Sequence, residues 1–142
     1  MSKKTKKYNA NSAIRSALRR TFSRSPLVRE VMHLVRRERD WFKKDGTKAT
    51  KPRVEFQCYQ CNEWYMGKDI QVDHKNPVVD PDVGFINFDT YIDRLFCQKE
   101  NLSVLCKTCH KVKTDSEKAQ AVERRARLKE AMQSDFGKIL PR

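Results

Sequence analysis

"ENLSVLCKTCHKVKT", residues 100 to 114, holds a short apolar run, a CxxC pair and a histidine. Leu102 to Cys106 reads as a strand, and the chain from Thr108 onward reads as a helix ending near Gly137. An upstream stretch, "VEFQCYQCNEWY" (54–65), is alternating and aromatic-rich, as in a hairpin or knuckle carrying Cys58 and Cys61. Cys58, Cys61, Cys106 and Cys109 can present four thiolates tetrahedrally to a structural Zn²⁺. A disulfide set is the alternative. Five cysteines, with a basic start "MSKKTKKYNANSAIRS" that lacks the apolar stretch of a secretory signal, argue against it. Hydrophobic residues are 38% against 35% charged, so the core is small and metal binding would supply folding free energy. Cys97 reads as a buried apolar residue.

Between the knuckles lies "QVDHKNPVVDP" (71–81). "DIQVDH" (69–74) alternates as a strand should, with Ile70 and Val72 on one face and Asp73 on the other. If the four cysteines meet at one zinc, the "VDH" and "LSVLC" strands can pair, with the helix after them packed across. Asp73, His74 and His110 would then converge on one side of a strand–strand–helix unit. An acid and an imidazole side by side can point to different places, one to a metal and one to a substrate water. Phe88, Tyr91, Ile92 and Leu95 recur at helical spacing and read as core. The fold class is α+β.

The flanks are basic. Residues 1–53 hold 17 Lys/Arg and 4 Asp/Glu, which equals the net +13 of the whole chain. Residues 54–100 sum to −5 and 101–142 to +5. Residues 1–10 read as a disordered arm, and the pattern from Asn11 to about Trp41 as two helices split at "SRSP", with Ser25 as N-cap and Pro26 at the helix start. Residues 43–53 read as turn and linker. The division expected is a basic arm and helices (1–53), a central domain (54–120) and a basic C-terminal helix and tail (121–142). Basic ends suit DNA or RNA, with Arg15, Arg19, Arg20, Arg29, Arg36, Arg37, Lys111 and Lys113 as backbone contacts; a solvated charged face is the plainer reading. No apolar run approaches a membrane span, and an intracellular, cytoplasmic protein is expected.

"VDHKNPV…ENLSVLCKTCHKVKT" resembles the HNH endonucleases, whose ββα-metal motif contains D-H, then N-L, then C-x-x-C-H. His74, Asn101 and His110 occupy the three name-giving positions, and both CxxC pairs are present. The intervening "NPVVDPDVGFINFDTYIDRLFC" and the leader "SALRRTFSRSP" look like those of phage-encoded, freestanding members. The specific motifs cover residues 54–116. The resemblance implies a small zinc-stabilised ββα-metal domain that hydrolyses DNA phosphodiesters, nicking one strand per site, as a monomer or homodimer. It implies Asp73 and His110 as ligands of a catalytic Mg²⁺ or Mn²⁺, and His74 as the base that deprotonates water. Asn101 would orient His74 by hydrogen bonding. The rival from another class is a non-catalytic zinc-stabilised DNA-binding module, which has no need of the Asp73/His74/Asn101/His110 set.

Overall fold

The computed structural model describes residues 5–139. The first four and last three residues, parts of the expected arm and tail, lie outside them. Among the described residues, four helices and five strands make an α+β architecture with two small antiparallel sheets. The N-terminal segment folds into α1 (Ala10–Ser23) and α2 (Pro26–Leu34). Asn9 caps α1 by accepting from the Ser12 amide at 2.9 Å. Pro26 begins α2 as expected, but Ser25, at the N-cap position, makes no side-chain capping bond.

The helical pattern does not continue to Trp41. Arg36–Arg39 is β1, paired antiparallel with β2 (Arg53–Gln57), which pairs in turn with β3 (Trp64–Met66). The apolar residues that pack α2 against the core end at Val35, and Arg36–Arg39 offer a helix nothing to bury. Across the sheet, Arg37 stands opposite the buried Glu55 and donates to it at 2.8 Å, a pairing only an extended chain supplies. The expected linker 43–53 is therefore a hairpin connection, and a division after residue 53 falls at the start of β2.

β4 (Ile70–His74) and β5 (Leu102–Cys106) form the second sheet, in register from Ile70↔Cys106 to His74↔Leu102. Between them lie the loop from 75 to 87 and α3 (Phe88–Leu95), capped by Asn87. From β5 the chain runs directly into α4 (Lys107–Ile139), a single helix through the expected boundary at 120/121. The core joins Phe22 and Val31 of the N-terminal helices to Ile70, Tyr91, Leu95, Leu102 and Val104. The basic segment is thus part of the body rather than an appendage. Among the described residues, no helix is long and apolar enough to cross a membrane.

Candidate metal centre and active site

The sulfurs of Cys58, Cys61, Cys106 and Cys109 lie within 4.8 Å of one another. A Zn–S bond of about 2.3 Å sets tetrahedral sulfurs about 3.8 Å apart, so small adjustments would close this cluster on a zinc ion. Two knuckles build it: the turn after β2, and the junction of β5 with α4. The backbone donates into it, Cys106 N–H to Cys58 Sγ at 3.3 Å and Cys109 N–H to Cys106 Sγ at 3.4 Å. Burial opposes ionisation of Cys58 and Cys106, yet such donors hold both thiols below their ordinary value. Cys109 is pushed up to about 12, first by its hydrogen bond with Cys106. Crowded thiols that cannot all ionise by themselves suit a dication that takes all four as thiolates.

Asp73 and His74 leave β4 on opposite faces. Asp73 turns toward α4, where its Oδ2 lies 2.8 Å from Lys113 Nζ and its Oδ1 accepts the His74 amide at 2.8 Å. Lys113 also reaches Glu117 at 2.7 Å and donates to the His74 carbonyl at 2.8 Å. His110 is half-buried one turn before Lys113 on the same helix. His74 is only 5% exposed. Its ring lies 4.9 Å from that of Phe22, with Nε2 2.8 Å from the Leu95 carbonyl oxygen. The His74 ring therefore does not share a side with Asp73: it enters the layer under α1 and α3. Strand alternation is the reason, because His74 shares its face with Ile70 and Val72.

A carbonyl can only accept, so Nε2 carries the proton and the free lone pair belongs to Nδ1. Among the described residues, Ser25 Oγ is the one sealed side-chain polar atom lacking a partner. No side-chain or backbone hydrogen bond is made to Nδ1 among the described residues. Burial lowers the His74 pKa below the usual histidine value, and Arg19 and Lys113 act in the same direction, so the ring is neutral at pH 7.

Asn101 makes no hydrogen bond to the His74 ring among the described residues. Its Oδ1 accepts the Asn76 amide at 3.0 Å and its own carbonyl accepts the Lys75 amide at 2.7 Å, which pins the loop leaving His74. Arg94 donates twice to the Pro77 carbonyl, at 3.0 and 2.7 Å, and holds the same loop from α3. A cleft of about 880 Å³ opens there, lined by Asn76, Asp80, Arg94, Asn101, Lys113 and Glu117 among others.

Several expected phosphate contacts are engaged inside the protein. Lys111 pairs with Asp115, and Lys113 with Asp73 and Glu117. Arg37 pairs with Glu55 and covers the Trp64 ring at 4.0 Å; Arg36 pairs with Glu38. Arg19 donates to the Tyr91 hydroxyl at 2.8 Å, and Arg15 lies 4.9 Å over Phe85. Arg20 and Arg29 have no such partner among the described residues. The features not visible in the sequence are the Leu95 carbonyl, Phe22 over the imidazole, and the ammonium of Lys113 on Asp73. No family model, characterised protein or solved structure matches this chain.

Proposed function

We propose that this chain is a metal-dependent HNH endonuclease that hydrolyses DNA phosphodiesters and nicks one strand per site. The observation that carries this reading is His74: a neutral imidazole with its tautomer fixed by a backbone carbonyl, next in sequence to a carboxylate aimed at α4. The order β4, β5, α4, with the cysteine cluster at one end, supports the ββα-metal reading of the resemblance. In the proposed reaction, His74 Nδ1 takes the proton of the attacking water. Asn101 and Arg94 act as positioning residues by holding the loop that leaves the imidazole.

The donor set of Asp73 and His110 fits a hard divalent cation, because one carboxylate and one imidazole leave most of an Mg²⁺ or Mn²⁺ shell open. That Asp73 already holds an ammonium is a second sign that the position suits a cation. When bound, the metal supplies charge neutralisation at the scissile phosphate. Zn²⁺ in the four-cysteine cluster has a structural role, and the partner is DNA.

A second reading, a non-catalytic zinc-stabilised DNA-binding module, is favoured by the burial of His74 and by Lys113 occupying the Asp73 carboxylate. Incubation of the full chain with supercoiled plasmid and Mg²⁺, Mn²⁺ or EDTA separates the two. The nuclease gives nicked circles with metal and none with EDTA. Intact plasmid under every metal leaves the binding module.

A further inference from the structure

Residues 38–52 form the outer part of an arm whose backbone is well paired but which buries little. β1 and β2 pair from Arg36↔Phe56 to Arg39↔Arg53. Beyond them the ribbon continues: Ala49 N–H donates to the Trp41 carbonyl at 3.0 Å, Lys43 N–H to Thr47 at 2.8 Å, and Phe42 bridges Lys48. The end turns at Gly46, whose φ of +82° is the left-handed conformation that favours glycine. Asp45 Oδ1 locks the turn by accepting from both the amide and the hydroxyl of Thr47, at 2.9 and 2.6 Å. Trp41 clamps the base of the tip, with its indole N–H on the Lys51 carbonyl at 3.1 Å and the Arg53 guanidinium 4.7 Å over its ring.

This order serves no core. Between residues 38 and 52 all but Trp41 and Ala49 are exposed. Phe42, at the tip, is 67% exposed. Lys43, Lys44 and Lys51 have no acidic partner among the described residues. Phe42 and Lys48 stand opposite each other in the ladder and so leave the same face. A stiff two-stranded ribbon with lysines along it and an apolar ring at its end matches the width and charge of the DNA major groove. That groove is about 12 Å wide, admits such a ribbon, and offers thymine methyl groups to apolar side chains.

Resting on the reading of duplex DNA as substrate, we propose that this arm lies in the major groove, with Lys43, Lys44 and Lys51 on phosphates and Phe42 against base edges. The test measures the affinity of the full chain for a duplex at several KCl concentrations without divalent metal. The same duplex methylated at guanine N7 serves as the major-groove probe. The variant Lys43→Ala/Lys44→Ala/Lys51→Ala should flatten the log–log salt slope by about 2.7, close to 0.9 per phosphate contact. Phe42→Ala should keep the slope and bind the plain duplex about tenfold more weakly, the size of one lost base contact. It should also lose the wild type's preference for unmethylated DNA. An unchanged slope in the lysine variant, or equal binding of both duplexes by wild type, overturns the proposal. If the wild type still nicks plasmid, only the arm's role falls. If it neither nicks nor binds duplex, the nuclease reading falls too.

Discussion

A carbonyl 2.8 Å from Nε2 and a phenyl ring 4.9 Å from its centroid leave the His74 imidazole one orientation and one tautomer. His74→Ala should lower the cleavage rate by about 10²–10⁴, and His74→Gln, which keeps more of the buried volume, should lower it as well with zinc content unchanged; cleavage at wild-type speed by either would remove the assignment. Burial adds a pH signature, since the folded-state pKa lies below the unfolded value of about 6.5. The stability contributed by the neutral ring is complete above pH ~6.5 and is lost as pH falls from there toward the folded pKa. Thermal midpoints between pH 5 and 7.5 should therefore fall on the acid side more in wild type than in His74→Gln. The acid limb of kcat/KM should likewise lie below pH ~6.5. Lys113 makes a separate prediction. Its ammonium competes with a divalent ion for Asp73, so Lys113→Ala should lower the Mg²⁺ concentration at half-maximal nicking, and a higher requirement would show that Lys113 helps assemble the site. The "VDH" and "CH" positions were legible from residue type and spacing. The Leu95 carbonyl was not, because every residue carries one, and Phe22 lies far from His74 in sequence.

At the scale of elements, the parts that were legible are those whose pattern has a local cause. β4 alternates, β5 is a short apolar run buried throughout, α3 carries an apolar stripe, and α1 ends before a serine–proline break. "RRER" has no local preference that decides it; its strand depends on Glu55 across the sheet, which periodicity cannot reveal. The salt bridges of that pair decide a fold rather than a DNA contact. Arg37→Ala should destabilise the protein by about 1–3 kcal/mol, since the nearly buried Glu55 keeps only Arg39 at 3.8 Å. Urea unfolding measures it. The cysteine cluster depends on the approach of two elements, and its CxxC spacing made that approach readable in advance. One tightly held Zn²⁺ per chain is expected by elemental analysis. Cys58→Ser should lose the metal and the cooperative melt together, because the cluster ties the end of β2 to the start of α4. A well-folded wild type free of zinc would sink the assignment.

On the whole-molecule scale, the +13 net charge is divided between side chains that hold the fold and side chains free to meet a polyanion. Composition cannot make that division, and the structure changes how it must be tested. Phe22 and Val31 lie in the central core and β1 pairs with β2, so deleting residues 1–53 would unfold the protein rather than remove a DNA-binding segment. Single charges have to be neutralised instead. Arg20 and Arg29, which lack side-chain partners among the described residues, belong to the free class; Arg19, tied to Tyr91, and Arg37, tied to Glu55, belong to the structural one. Arg20→Ala/Arg29→Ala should flatten the salt slope of duplex binding by about 1.8 if each neutralises one phosphate, with the melting temperature unchanged. Arg19→Ala should lower the melting temperature and move the slope by less than ~0.9. The double variant removes two charges from the N-terminal helices and Arg19→Ala removes one, so a simple count of net charge predicts the same loss per arginine in both. Equal slope changes per charge would mean that the duplex senses only the overall field, and the N-terminal helices would then have no defined register on the phosphates.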